Sequence, residues 1–341
     1  MRKPSLFLVF AAAASVLAAC SHGPAKVDTA SKPARHPASS SLASRPYQDG
    51  GAFPRPQALE PAIGFWRKTY AVWRRSQVVV HDDRHLNIVY EVIDLPGYVG
   101  DSLSAEQKDW VAARRDWWRA RLSELQLKLA SGEPPDANDR PLIATLEAGG
   151  RLQAILPGAA ERVRSQRGMR ERFMKGLEIG ARYERTFRKI FRDAGLPEDL
   201  AYLPHVESSF QASAQSSAGA VGVWQFTRGG AEKYLTVNAR VDERLDPIAS
   251  TYGAARYLRD AYAKLGDWPT ALTSYNHGVN GMARAKNQVG NDFVRIVQQY
   301  DSPKFGFASR NYYAEFLAAR DIARNPGEFF AEAVSDAGPQ D

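Results

Sequence analysis

The stretch Gly195-Leu196-Pro197-Glu198-Asp199-Leu200-Ala201-Tyr202-Leu203-Pro204-His205-Val206-Glu207-Ser208-Ser209-Phe210 decides how this chain is read. Glycine ends one helix and proline starts the next, because glycine accepts the left-handed position after a helix and proline fits a first turn. Leu200, Leu203, Val206 and Phe210 then recur at helical spacing, which puts Glu207 near the end of a short helix beside an apolar face. A carboxyl in that setting is desolvated, and desolvation favours its neutral, proton-donating form. Taken alone, Glu207 either caps or pairs within the fold or supplies an acid for chemistry.

Upstream of this stretch, eleven Arg or Lys lie between Arg162 and Arg192 against Glu171, Glu178 and Glu184. That local surplus of eight accounts for the whole formal charge of +7. The segment predicts a basic helix with Phe173, Leu177, Tyr183, Phe187 and Ile190 on its inner face, and it suggests either a solvated face or an anionic partner. Downstream, helical patterns continue over Ile248 to Leu265, Trp268 to Tyr275 and Asn311 to Ala323. No alternating strand pattern competes strongly there.

Nearer the N-terminus, Ile63, Trp66, Tyr70 and Trp73 predict one amphipathic helix. A second starts at Ser104, with Gln107 completing a capping box, and runs through Val111, Trp118, Leu122, Leu125 and Leu129 to Gly132. Val78 to Val80 and Leu86 to Val92 are short apolar or β-branched runs that fit strand or helix equally. Gly132 to Pro141 is a loop, and Leu142 to Ala148 a further short helix. About 285 residues follow Gln57, enough for one large or two smaller domains. The fold class is therefore mainly α: a helical N-terminal region over 57–160, a second helical domain over 161–325 and a flexible acidic tail over 326–341.

The first 19 residues read as a secretory signal, with Arg2 and Lys3 before an apolar run from Leu6 to Ala19 that is short for a membrane span. Leu17-Ala18-Ala19-Cys20 resembles the lipobox of bacterial lipoproteins, in which the cysteine is acylated. Cys20 is the sole cysteine in the sequence, which excludes a disulfide, a thiolate metal site or a cysteine nucleophile elsewhere. Ser21 at the next position resembles proteins sorted to the outer membrane, so the expected place is that membrane's periplasmic face. Ser21 to Pro56 is rich in Ser, Pro, Ala and Gly and reads as a disordered tether, which with Cys20 makes a 20–56 segment. As a coil it would span roughly 30 to 40 Å. Export excludes nucleic acid as a sensible partner, and the sequence names no protein partner.

Three segments follow Glu207 within about 70 residues: Gly222-Val223-Trp224-Gln225, Asp242-Glu243-Arg244-Leu245-Asp246-Pro247 and Ser274-Tyr275-Asn276-His277-Gly278. In this order, with Glu207-Ser208, they resemble the lytic transglycosylases of glycoside hydrolase family 23, whose catalytic domain has a goose-type lysozyme-like fold. Within that family the membrane-bound D-type enzymes are nearest, because Trp224 stands where soluble members carry methionine. The resemblance covers roughly Gln57 to Asn325. It departs from the family beyond Asn325, where no LysM-like repeats follow.

The resemblance implies a peptidoglycan lytic transglycosylase that uses one carboxylate, where most glycosidases use two. Glu207 would protonate the β-1,4 bond between N-acetylmuramic acid (MurNAc) and N-acetylglucosamine (GlcNAc). As carboxylate it would then take the proton of the muramyl C6 hydroxyl, which closes a 1,6-anhydro ring. Ser208 would hydrogen-bond Glu207 or the substrate's acetamido region. Gln225 would offer its amide, Tyr275 would stabilise the cationic centre and Asn276 would orient the acetamido group. Trp224 is core, cleft wall or platform, and Tyr312 a further wall. The partners implied are glycan strands and, through Cys20, a membrane; neither cofactor nor metal is implied.

Rival chemistries are weaker. His205-Val206-Glu207 fits half of a zinc deaminase motif, but the required cysteine pair is missing. His81-Asp82-Asp83-Arg84-His85 has possible metal ligands at no standard spacing and reads as a polar turn. Asp242, Glu243 and Asp246 would permit hydrolysis if one of them faced Glu207. They read better as a loop in which Arg244 pairs locally and Asp246-Pro247 starts a helix. A hydrolytic muramidase and a non-catalytic wall-binding lipoprotein remain the alternatives.

Overall fold

The computed structural model describes residues 51–330. The expected signal peptide, the acylated Cys20 and most of the tether and acidic tail lie outside these residues. In chain order the helices are α1 (Glu60–Ala71), α2 (Ala105–Ala130), α3 (Asp139–Glu147), α4 (Leu152–Ile155), α5 (Arg170–Gly180), α6 (Glu184–Asp193), α7 (Leu203–Glu207), α8 (Arg228–Ala231), α9 (Pro247–Leu265), α10 (Trp268–His277), α11 (Val279–Val289), α12 (Phe293–Gln299), α13 (Phe307–Arg324) and α14 (Pro326–Phe329). The mainly helical class stands. One sheet interrupts it, with strands β1 (Gln77–Asp82), β2 (Val89–Asp94) and β3 (Val163–Arg167) in antiparallel order β2-β1-β3.

In the N-terminal region over 57–160, read as helical with two runs left open between strand and helix, the sheet makes both runs strands. β1 is the central strand and is buried on both faces, so its side chains show no polar alternation. Val79 packs towards α1 and the main core, while Val80 packs towards α2 and α3. A run buried on both sides looks the same whether it is strand or helix, which is why Val78 to Val80 is ambiguous in sequence.

β3 corrects an expectation. The basic segment from Arg162 to Arg192 is a strand followed by two helices. Gly168 breaks it, since a Cβ there would lie 2.3 Å from the carbonyl oxygens of Trp73 and Arg74. As an edge strand, β3 carries charge in the manner that discourages further strand pairing. Several of its cations are spent internally. Arg162 Nε donates to Asp82 Oδ2 at 2.8 Å, Arg167 donates to the carbonyl oxygens of Arg75, Gly100 and Asp101, and the Arg164 guanidinium lies 4.2 Å from the Phe307 ring centroid. The surplus charge is therefore not one helical face.

Other expectations hold in detail. The Ser104 and Gln107 capping box is formed by reciprocal 3.1 Å hydrogen bonds. Asp246 caps α9 by accepting from the backbone of Ile248 and Ala249, and Asp242 pairs with Arg244 at 2.6 Å. At both ends the ordered body reaches further than the sequence suggests. Phe53, placed in the tether, is buried against Trp268 and Phe316, and Phe330, placed in the tail, is buried under Arg170. α1 and α13 share one core with α5, α6, α7, α9 and α10, so the half that carries Glu207 is built partly from the N-terminal helix.

Candidate active site

Glu207 is positioned by a compressed connection. α6 ends at Asp193, Gly195 turns the chain at φ 70°, and a 3-10 turn over Glu198–Tyr202 leads into the single turn and a half of α7. Leu200 and Leu203 are fully buried and Phe210 nearly so, as the apolar spacing predicts, with Val206 half-buried. Ser209 at φ 53° and Phe210 at φ 59° then take left-handed conformations that cost side-chain-bearing residues energy.

Three contacts hold this bend. Ser208 Oγ donates to Val223 O at 2.8 Å, and Arg172 Nη2 donates to Ser208 O at 3.3 Å. Gly176 lets α5 approach, because a Cβ there would sit 2.9 Å from Ser209 O.

The carboxyl of Glu207 accepts a hydrogen bond at Oε1 from Tyr312 Oη on α13. Burial pushes its pKa up to about 7, and the Tyr312 hydroxyl opposes that rise by stabilising the charged form. The residue is half-buried, so the acid lies deep yet keeps some access to solvent. Around it stand hydroxyls that its charge disfavours ionising. Tyr312 and Tyr275 are held well above the ordinary phenol range, mainly by burial and then by Glu207.

Not every expected residue faces this carboxyl. Tyr312 touches it directly and Tyr275 lies within reach of its field, with Tyr275 Oη donating to Trp224 O at 2.9 Å. Trp224 itself is core. It is fully buried among Phe187, Phe191 and Tyr275, and its Nε1 donates to Thr251 Oγ1 at 2.8 Å, so the platform reading is corrected.

Ser208 bonds the carbonyl oxygens of Val223 and Pro204, in place of the expected bond to Glu207. Gln225, at φ 49°, donates its amide to Ala214 O at 3.0 Å and Gly222 O at 2.8 Å, closing its own loop. Asn276 is exposed at the end of α10, where its Oδ1 accepts from Ser309 Oγ at 2.6 Å. Cys20 lies outside the described residues.

Sequence reasoning missed a second carboxylate. Glu315, one turn beyond Tyr312 on α13, accepts from Tyr70 Oη of α1 at 3.2 Å. Burial first, and the Glu207 charge after it, push its pKa up to about 8, against the Tyr70 hydrogen bond. The available signal was the i, i+3 relation of Tyr312 and Glu315 inside an apolar run. Tyr257 was missed too: its hydroxyl donates to Ser274 O at 2.7 Å and its ring meets Tyr275 edge-on, 5.1 Å between centroids. The Asp242 to Asp246 carboxylates are spent on Arg244 and the cap of α9. Among the described residues no group of three or more His, Cys, Asp or Glu is arranged to hold a metal ion.

The arrangement is thus a deep proton donor that ionises near neutrality, with a second carboxyl that stays protonated slightly longer. It suits acid–base chemistry on a neutral leaving group.

In comparison with known proteins, residues 187–294 match the Transglycosylase SLT domain. An Alteromonas sp. (strain M-1) protein named for tributyltin chloride resistance is 35% identical over 106 residues, covering 30% of this chain and 51% of that protein. Membrane-bound lytic murein transglycosylase D of Escherichia coli (strain K12) is 34% identical over 132 residues, 38% of this chain and 29% of its own length. The chain thus spans about half the length of the first relative and less than a third of the second. A solved structure of lytic transglycosylase Slt from Pseudomonas aeruginosa aligns with TM-score 0.35 and 16% identity, over 66% of this chain and 34% of that one. That likeness is too slight to bear on the fold.

Proposed function

We propose that this protein is a peptidoglycan lytic transglycosylase with a lysozyme-like catalytic fold, a reading supported by the match of residues 187–294 to the Transglycosylase SLT domain. The observation that carries the reading is Glu207, an acid with a pKa of about 7 bonded to Tyr312. Near neutral pH a substantial fraction holds the proton that starts the reaction, and the carboxylate left after transfer is basic enough to take a proton back.

In the proposed reaction, the Glu207 carboxyl gives its proton to the glycosidic oxygen between MurNAc and GlcNAc, and the C1–O bond breaks. The carboxylate left behind stabilises the cationic C1. It then removes the proton from the muramyl C6 hydroxyl, whose oxygen bonds to C1. The products are a GlcNAc end and a 1,6-anhydroMurNAc end, and no water is consumed. Tyr312 orients the carboxyl throughout, while Tyr275 lines the site beside it. Asn276 and the free face of Gln225 are the remaining candidates for sugar contacts.

Plain hydrolysis is the second reading, and Glu315 favours it because a second carboxylate could serve as base towards water. Its pKa of about 8 weighs against this, since near neutrality it holds its proton. A place on the periplasmic face of the outer membrane, anchored through Cys20, completes the proposal. It rests on the lipobox-like Leu17 to Cys20 and on relatives named as membrane-bound.

Digestion of purified peptidoglycan followed by mass analysis of the sugar ends tests the reading. Anhydro ends are expected, whereas reducing muramic ends would select hydrolysis and no products would leave a binding protein. Glu207→Gln is expected to lower turnover by at least about 100-fold while the fold is kept.

A further inference from the structure

α2 carries aromatic surface that the fold does not use. Trp110 and Trp117 are 44% and 48% exposed, and Tyr98, in the loop before the helix, is 91% exposed. The buried side of the helix is supplied by Gln107, Val111, Leu122 and Leu125. The two tryptophans are seven residues apart, so they share one flank of the helix and lie about 10.5 Å apart along its axis. Ala113, exposed between them, leaves the intervening space open.

The Trp117 ring is held in place. The Arg114 guanidinium lies 4.9 Å from the Trp117 centroid and is itself fixed by Glu91 at 2.7 Å. Trp118 meets Trp117 edge-on at 4.8 Å, stacks on Tyr90 at 5.4 Å and donates to Glu91 at 2.9 Å. A half-exposed indole held on several sides is preorganised for a ligand, since little side-chain freedom is left to lose on binding.

A relay of contacts links the flank to the segment that carries Glu207. Gln107 Nε2 donates to the carbonyl oxygens of Pro96 and Tyr98, which ties the Tyr98 loop to the first turn of α2. The other end of that loop, Gly100 and Asp101, is bonded by Arg167. Asp101 lies within the electrostatic reach of Arg172, which bonds the carbonyl of Ser208 next to Glu207.

We propose that Tyr98, Trp110 and Trp117 form an accessory track that binds a β-1,4-linked amino-sugar strand running away from the Glu207 site. Pyranose rings present flat C–H faces that pack on indoles, and an extended β-1,4 strand turns equivalent faces outward every second ring. The tryptophan spacing suits that repeat. Arg114 and Arg121 lie on the same flank, each held by carboxylates of the fold, Glu91 for the first and Glu124 and Asp139 for the second, so they frame the track as fixed polar groups beside the rings. The choice of ligand rests on the activity proposed above, while the surface itself does not.

The test uses the whole chain carrying Glu207→Gln, so that substrate persists, and measures co-sedimentation with purified peptidoglycan sacculi. Adding Trp110→Ala and Trp117→Ala is expected to weaken binding about tenfold, as loss of two aromatic contacts should. The Trp110→Phe, Trp117→Phe pair is expected to restore most of it, which separates lost contact from lost fold. Leu127→Ser, removing an apolar side chain that is 72% exposed elsewhere on α2, is expected to leave binding unchanged.

Unchanged binding in the double alanine variant overturns the proposal. So does equal weakening by Leu127→Ser, which would mark non-specific adhesion. Loss of binding to glycan-free phosphatidylglycerol vesicles, with sacculus binding kept, would assign the surface to lipid and also overturn it. If sacculus binding falls as expected but the parent chain forms no anhydro ends, the track stands and the enzymatic reading fails.

Discussion

The acid strength of Glu207 is a balance between two opposed effects, burial pushing it up and one hydroxyl pulling it down. Tyr312→Phe removes the second and keeps the first. A hydrogen bond to a charged group contributes about 1.5–3 kcal/mol, so the midpoint should rise by about one to two units above 7. Because the proposed reaction begins with a protonated Glu207, kcat/KM should be level below the midpoint and fall tenfold per pH unit above it. The variant's falling limb should therefore lie at higher pH, read from initial rates on soluble glycan between pH 5 and 9. A limb that stays put or moves down would remove Tyr312 from this role. Glu207 was legible from its local setting, whereas Tyr312, 105 residues away, was read only as a wall and its bond to the acid was not. Glu315 was not legible either. It reads as an ordinary charge on an amphipathic helix, and it becomes buried because Tyr70, 245 residues away, lies over it.

Between residue and domain, the loop from Gln211 to Phe226 sets the wall behind the acid. Gly222 sits at φ +80°, and a Cβ on it would lie 2.0 Å from Arg244 O, a backbone atom that cannot swing aside. Gly222→Ala should therefore cost at least about 3 kcal/mol, combining a left-handed alanine with a forced shift of the Asp242 to Leu245 turn. Gly219 provides the contrast, since at φ +75° it has nothing within 4 Å of a built Cβ. Gly219→Ala should cost only about 1–2 kcal/mol. Urea unfolding of both variants measures the difference, and equal costs would show that crowding by Arg244 is not what fixes the glycine. The directions of Trp224 and Gln225 could not be anticipated from sequence. Periodicity gives side-chain direction within helices and strands, and it fails across residues such as Gln225 that take positive φ. The same limit hid β3, whose five residues bury a single side chain and carry the composition of a basic helix.

At the scale of the molecule, the helices that hold Glu207 close around a segment from the other end of the chain. α1 lies against α13, Tyr313 Oη donates to Pro54 O at 2.8 Å, and β3 pairs with β1 across the boundary expected near residue 160. The SLT match over 187–294 leaves out Tyr312, although Tyr312 holds the acid. A fragment of residues 161–325 would strip the core of Phe53, Ile63, Phe65, Trp66 and Tyr70, all buried in the intact chain. Burying a large apolar side chain contributes about 1.5–3 kcal/mol. The five together are worth roughly 7–15 kcal/mol, as much as the entire stability of a typical domain. The fragment should therefore show no cooperative thermal transition, whereas residues 51–330 should unfold with one calorimetric transition governing the Glu207 half and α1 together. A sharp transition in the fragment near the temperature of the longer chain would mean that α1 is an attachment to an independent domain. Its absence would mean that the acid's pKa, set by depth of burial, depends on a helix 136 positions before it in sequence, counted from Ala71 to Glu207.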